Sequence, residues 1–189
     1  MQITKITILF LYFIVLAAFI LNLDPNGGAF KDFQYHSKVS QDFSKNFSET
    51  FFNYDSYATR HSPVFYIIMS VFFKFKFEEN IIRLIFLHLG LLLPFIFYKC
   101  LKLKFEKQNK ISLIFLSSVM FFSPSFLSLI IWPDSRIFGL MLFCISIYYF
   151  LKFQKKTKIK YSFKCILFYT VASYLSPNFS VFSIFYFIY

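Results

Sequence analysis

Apolar and polar residues follow one another along the chain in long blocks, and these blocks predict membrane helices. The first apolar block, residues 6–23, comes directly after Lys5. Its length approaches the ~20 residues that a helix needs to cross a hydrocarbon core about 30 Å thick. No small-x-small cleavage site follows and further apolar blocks come later, so we expect an uncleaved signal anchor.

Four later apolar blocks are also predicted to cross the membrane: residues 81–98, 111–131, 137–151 and 165–189. Residues 62–73 are equally apolar but too short for a span, which is typical of an interfacial helix. That helix belongs to a predicted outer loop, residues 24–80. The pattern predicts an all-α, polytopic transmembrane bundle forming a single membrane domain. Because the chain stops inside an apolar block, we expect the N-terminal part of a longer protein.

The charge follows the same block pattern. The chain is 58% hydrophobic with a formal net charge of +11, and its lysines concentrate between apolar blocks, in residues 99–110 and 152–164. Such lysine-rich segments are typical of cytoplasmic loops. The positive charge therefore indicates topology and predicts no nucleic-acid binding. We expect an integral protein of a bacterial inner membrane, with a cytoplasmic N-terminus and the loop 24–80 outside.

This topology places every carboxylate except Glu106 on the outer face, although acidic residues contribute little to the positive-inside rule. Asp32 follows Gly27 and Gly28, which permit a tight turn with positive φ that would fold Asp32 back toward the membrane surface. Asp134 lies in a short turn between two predicted spans. Two carboxylates at one membrane face can serve as a general base and as the organiser of a metal or phosphate site. Asp134 can equally be a helix N-cap or the ion-pair partner of Arg136.

Other ionisable residues keep two interpretations each. Arg83, at the outer end of a predicted span, binds a lipid phosphate or only extends its side chain to the interface. His36 and His61 lie in the outer loop without the spacing of a zinc site, so each is a solvated or hydrogen-bonding histidine or a ligand. His88 lies within a predicted span, where ionisable residues are functional candidates.

The order of these features resembles the GT-C superfamily of polytopic glycosyltransferases, which includes protein O-mannosyltransferases and bacterial aminoarabinose transferases. Members have a first span, an outer loop with an acidic motif, a proline- and tyrosine-containing juxtamembrane segment, an arginine at the second span and an aspartate in a later outer turn. The matching segments here are DFQY from Asp32 to Tyr35, RHSPVFY from Arg60 to Tyr66, Arg83, and PDS from Pro133 to Ser135.

The resemblance implies transfer of a sugar from a polyprenyl-phosphate donor to an acceptor at the outer face. Asp32 is then the general base, assisted by Asp134, and these two residues are the candidate ligands of an optional divalent metal. The expected substrate-binding residues are Tyr35, His61, Lys74, Lys76, Arg83 and Arg136. Membrane lipids and the lipid-linked donor are the expected partners. The alternative is a non-enzymatic polytopic protein, such as a transporter or a lipid flippase component, for which ionisable or broken helices near the bilayer midplane are expected.

Overall fold

The computed structural model describes residues 2–24, 26–59 and 61–188. These residues are 83% helical, and no strand occurs among them. The predicted all-α class is therefore confirmed. The α-helices are α1 (Gln2–Ile20), α2 (Gly28–Lys45), α3 (Phe47–Phe52), α4 (Val64–Lys74), α5 (Glu79–Gly90), α6 (Leu92–Lys104), α7 (Lys110–Ser118), α8 (Pro124–Ile131), α9 (Ser135–Lys156), α10 (Ile159–Leu175) and α11 (Ser183–Ile188). Short 3₁₀ turns lie at Tyr54–Tyr57, Val119–Phe122 and Pro177–Phe182.

Two helical segments of the described chain are long and apolar enough to cross a membrane, namely Glu79–Lys104 and α9. A third is counted if Lys110–Phe122 and α8, which meet at a bend of 72°, form one span. Pro124 starts α8 immediately after this bend, as expected of a residue that lacks the N–H needed to continue the preceding helix. Leu9–Ile20 and α4 are shorter apolar helices.

The predicted spans match these segments to different extents. Residues 81–98 and 137–151 lie inside the two long segments, and 111–131 is the bent pair. The block at 165–189 differs: α10 begins earlier, at Ile159, and ends at Leu175 before Pro177, while Tyr189 lies outside the described residues. Five crossings therefore remain a prediction.

The predicted outer loop, residues 24–80, folds as a layer of helices on the apolar helices, and we call α2–α4 the outer layer. Helix α2 buries Phe33, Val39 and Phe43 on one face and packs along α4, as its mixture of apolar and polar positions predicts. Phe65 of α4 stacks on Phe138 of α9, with ring centroids 5.9 Å apart. This contact fixes the outer layer to the start of α9.

The two lysine-rich segments lie at the same end of the bundle. Lys155, near the end of α9, contacts the Leu103 carbonyl and the Glu106 carboxylate. Asp134 precedes the first residue of the same helix, which has 22 residues and is therefore about 33 Å long. The Asp134 end and the lysine end are thus separated by about one membrane thickness.

Candidate functional site

One arginine connects the two predicted carboxylates. Asp134 is the N-cap of α9: its Oδ1 accepts hydrogen bonds from the backbone N–H of Arg136 at 2.7 Å and from Nε at 2.9 Å. Its Oδ2 lies 2.6 Å from Nη2 of Arg136, and the same nitrogen lies 2.5 Å from Oδ2 of Asp32. The two Oδ2 atoms are therefore at most about 5 Å apart. Both alternative interpretations of Asp134, the N-cap and the ion pair, describe its geometry.

The two carboxylates differ in exposure. The Asp134 side chain is 2% exposed and that of Asp32 is 50% exposed. Burial alone raises the pKa of the Asp134 carboxyl, but the neighbouring His36 and the hydrogen bonds from Arg136 outweigh burial and hold that pKa well below its usual range. Asp134 therefore remains ionised and anchors Arg136. Asp32 is the member of this pair that a substrate can reach.

His36 lies next to the cluster formed by Asp32, Arg136 and Asp134. It is one helical turn after Asp32 on α2 and is buried, with Nε2 at 3.8 Å from Oδ2 of Asp134. Its ring centroid is 5.3 Å from the centroids of both Phe65 and Tyr66. Nδ1 is buried and has no hydrogen-bond partner among the described residues. The interpretation of His36 as a solvated histidine is therefore wrong.

Tyr35 and His61, two of the predicted substrate-binding residues, lie next to His36, with ring centroids 6.2 and 5.8 Å from its own. The Tyr35 hydroxyl donates to the Tyr57 carbonyl at 2.9 Å, and its ring packs edge-on against Tyr66. Nδ1 of His61 is 3.4 Å from Oγ of Ser135, at the start of α9. Burial raises the pKa of Tyr66 to about 12, so this phenol remains a neutral donor at physiological pH.

A cleft of about 380 Å³ opens beside Asp32, a size within the range of small-ligand sites. It lies between the turn that connects α1 to α2 and the helix α8. Its polar lining is Asp24, Asp32, Ser125, Ser128 and Arg136, and the remaining lining residues are Leu23, Gly28, Ala29, Pro124 and Leu129. Both polar and apolar side chains therefore line the cleft beside the half-exposed carboxylate.

Comparison of the chain with protein-family models, with curated proteins and with solved structures finds no match.

Gly27 and Gly28 do not adopt the backbone conformation that was expected for a positive-φ turn. Gly27 has a φ of −81°, and neither described glycine of the pair has positive φ, so the predicted positive-φ turn is wrong. Positive φ occurs instead at Asn22 and Asp24, with values of 48° and 57°. A Cβ at Gly27 would lie 1.8–2.0 Å from atoms of the Asp24 carboxylate, whereas one at Gly28 would meet nothing within 4 Å. A side chain at Gly27 would therefore have to displace the Asp24 carboxylate.

Arg83 is directed at protein groups. It is 5% exposed and donates to Oδ1 of Asn22 at 3.0 Å, to Oδ1 of Asn80 at 3.1 Å and to the Ile131 carbonyl at 3.3 Å. Its guanidinium carbon lies 3.6 Å from the centroid of Trp132. Arg83 therefore joins the ends of α1 and α8 to the start of α5, and it does not line the cleft.

Lys74 and Lys76 are exposed at the C-terminal end of α4. His36 contacts Phe65 and Tyr66 at the N-terminal end of this helix. Lys74 is its last residue and lies about 15 Å from that end along the helix axis. The structure does not bring either lysine to the cleft. Arg60, which belongs to the same predicted segment as His61, lies outside the described residues.

The site does not fit a divalent metal. The Arg136 guanidinium stands between Asp32 and Asp134, and both oxygens of Asp134 already accept hydrogen bonds from it. In the part of the chain that the structure describes, no three His, Cys, Asp or Glu side chains gather as ligands would.

The contact between His36 and Asp134 was not predicted from the sequence. The available signal was its spacing from Asp32, because residues four apart on a helix share a face. If Asp32 faces Arg136, the same face directs His36 toward Asp134. The burial of His36 against Phe65 and Tyr66 required knowledge of how α2 packs on α4.

Proposed function

We propose that this chain is an integral membrane glycosyltransferase that moves a sugar from a polyprenyl-phosphate donor to an acceptor at the extracytoplasmic face. The observation that carries the proposal is the position of Asp32. This half-exposed carboxylate lines a cleft and is held by Arg136 at the end of the bundle opposite the lysines. A lipid-borne donor has to be met at a membrane surface, and Asp32 lies where such a surface is expected.

The proposed step is a single displacement at the anomeric carbon of the sugar. Asp32 accepts the proton of the acceptor hydroxyl as the hydroxyl oxygen forms a bond to that carbon. The bond between the anomeric carbon and the phosphate oxygen breaks, and the polyprenyl phosphate leaves with the electron pair. Solvent then removes the proton from Asp32 and restores the carboxylate.

Arg136 has two functions in this scheme. Through Nη2 it fixes the orientation of the Asp32 carboxylate, and through Nε and Nη2 it is itself fixed by Asp134. Its Nη1 has no hydrogen-bond partner among the described residues, and its side chain is 40% exposed. Nη1 is therefore available to a phosphate oxygen on which negative charge develops.

The walls of the cleft suit an amphipathic donor. Leu23, Ala29 and Leu129 contribute apolar lining, and Asp32 and Arg136 contribute polar lining. Ile20 and Leu21, at the end of α1, are 73% and 77% exposed. This apolar surface leads from the predicted bilayer toward the cleft and supports a substrate that keeps its lipid tail in the membrane.

The alternative function, a transporter or flippase component, depends on ionisable groups within the spans. His88 is such a group, but its Nε2 lies 3.1 Å from the Tyr12 hydroxyl and its Nδ1 lies 2.8 Å from the Leu84 carbonyl. Nε2 connects α5 with α1, and Nδ1 is used by a backbone carbonyl within α5 itself. This geometry gives His88 a structural role and does not favour transport.

The test is sugar transfer by the purified chain in liposomes. Polyprenyl phosphates carrying radiolabelled mannose, glucose or 4-amino-arabinose are supplied separately, with a membrane extract as acceptor source. We expect label to move from at least one donor to a product that is not the donor, well above protein-free liposomes. Intact donor in all three reactions would refute the proposal.

A further inference from the structure

A second surface with chemical character lies at the lysine end of the bundle. Three lysines and three tyrosines of α9 and α10 gather there, and we call them the Lys–Tyr surface: Tyr148, Tyr149, Lys152, Lys160, Tyr161 and Lys164. None of these residues belongs to the cleft beside Asp32. The surface therefore requires an explanation of its own.

The tyrosine rings arrange the lysines. Nζ of Lys152 lies 4.5 Å from the ring centroid of Tyr148 and 5.6 Å from that of Tyr161. Nζ of Lys160 lies 5.5 Å from the same Tyr161 centroid. Two ammonium groups from different helices thus share one ring, an arrangement stabilised by cation–π attraction.

The third lysine adjoins the same stack of rings. Tyr149 stacks on Tyr161 across the two helices, with centroids 6.3 Å apart and planes inclined by 21°. Nζ of Lys164 lies 5.2 Å from the Tyr149 centroid. The Lys–Tyr surface therefore presents three positive charges over one continuous aromatic platform.

No carboxylate of the described chain neutralises these charges. The sequence contains no acidic residue after Asp134, and Asp134 lies at the other end of α9. Glu106, the nearest acidic residue at the lysine end, pairs with Lys155. These three charges can therefore attract an anionic ligand.

We propose that the Lys–Tyr surface binds the phosphate headgroup of an anionic phospholipid in the leaflet at the lysine end of the spans. The adjoining face of α10 suits the acyl chains: Phe163, Ile166 and Leu167 are 68%, 61% and 48% exposed. Basic charge beside an exposed apolar helix face matches a molecule with an anionic head and apolar tails. Tyrosine rings are also typical of the headgroup level of a bilayer.

The apolar face distinguishes this lipid from other phosphate-bearing partners. A free phosphate or a nucleic acid would use the lysines and leave Phe163 and Ile166 without a partner. Only a ligand that remains in the membrane contacts both parts at once. The proposal does not depend on glycosyl transfer.

The test is lipid binding by the purified full chain, measured by native mass spectrometry from detergent micelles with phosphatidylglycerol and phosphatidylcholine as probes. We expect the affinity for phosphatidylglycerol to exceed that for phosphatidylcholine. The variant K152Q/K160Q/K164Q should lose at least about tenfold in affinity for phosphatidylglycerol, since each lysine near an anionic surface contributes several-fold. K152R/K160R/K164R should retain binding, because the charge is kept.

The matched control is K104Q/K107Q/K110Q, which removes the same charge from the other lysine segment. We expect it to lose less than about threefold. Equal losses in both glutamine variants would show attraction by net charge alone and would overturn the proposal. Displacement of phosphatidylglycerol by millimolar inorganic phosphate would also overturn it, because the ligand would then be free phosphate.

A second measurement on the unmodified chain does not depend on the folding of any variant. Diazirine-labelled phosphatidylglycerol is crosslinked to the protein, and the modified peptides are mapped. We expect labelling concentrated between residues 148 and 167. Labelling spread evenly over the exposed apolar faces of the other helices would contradict a specific site.

Discussion

Asp32 contacts Nη2 of Arg136, a residue 104 positions later in the sequence, at 2.5 Å. Arg136 is in turn held by the buried carboxylate of Asp134 at 2.6 Å. The outer layer of helices is thereby tied to the start of α9 through one guanidinium. The orientation of Asp32, the proposed base, depends on this arginine.

Arg136→Gln should destabilise the chain by about 3 kcal/mol, because it leaves the buried carboxylate of Asp134 without its cation. The measurement is the apparent melting temperature in detergent. Lys155→Gln is the control: it breaks the exposed pair with Glu106 and should leave the melting temperature unchanged. Similar melting temperatures for both variants would mean that Arg136 does not organise the site.

Stability should fall in acid because of Asp134. The folded-state pKa of this carboxyl is depressed below its ordinary value of 3.8. The contribution of the ionised Asp134 to the free energy of unfolding is therefore complete above pH 3.8 and is lost as the pH falls through the folded-state pKa. The apparent melting temperature of the wild type should drop below about pH 4, and Asp134→Asn should reduce this drop. An unchanged pH profile in Asp134→Asn would assign the acid sensitivity to another group.

The two neighbouring glycines should respond differently to alanine. Gly27→Ala places a Cβ against the Asp24 carboxylate and should destabilise the chain by about 1 kcal/mol. Gly28→Ala meets no atom within 4 Å and should be neutral or stabilising by up to about 1 kcal/mol, since alanine favours the helix. Chemical denaturation in detergent measures both values. The double variant Asp24→Gly with Gly27→Ala should recover stability, because glycine removes the carboxylate and tolerates the positive φ of position 24. A Gly27→Ala variant as stable as Gly28→Ala would contradict the close-approach explanation.

The variant Arg83→Gln distinguishes a structural role of Arg83 from a role in substrate binding. The change leaves the Ile131 carbonyl and the Asn22 amide oxygen without their donor and should destabilise the chain by about 3 kcal/mol. In transfer assays on the folded fraction, the KM for the donor should stay unchanged, since Arg83 is buried away from the cleft. A raised donor KM with unchanged stability would instead make Arg83 a donor contact.

The amino-acid sequence made part of this arrangement predictable. The long apolar blocks predict helices. Because the lysines concentrate in the segments on one side of the predicted membrane, the sequence also predicts that Asp32 and Asp134 lie together at the other end of the bundle. The spacing of Asp134 and Arg136 also allows an N-cap and a local ion pair. These features are predictable because they depend on composition and on neighbours along the chain.

Other features depended on packing between distant segments. Arg83 is buried against Trp132 and joins the ends of α1 and α8 to the start of α5. No local sequence pattern distinguishes such an arginine from one that extends to the membrane interface. The burial of His36 follows from the docking of α2 on α4. The sequence indicates that Gly27 is a special position, but the lack of a side chain there matters because of the nearby Asp24 carboxylate and not because of a positive φ.

If Asp32 is the base of a sugar transfer, removing its charge should slow the reaction, and the most direct measurement compares Asp32→Asn with the wild type. Initial rates of transfer are measured at equal amounts of folded protein in liposomes, with the donor that the wild type uses. Asp55→Asn is the matched control, because Asp55 is an exposed carboxylate of the same outer layer that does not line the cleft. We expect Asp32→Asn to lose at least about 100-fold in rate, the contribution typical of a general base, while Asp55→Asn keeps the wild-type rate. Equal rates for Asp32→Asn and the wild type would contradict the account.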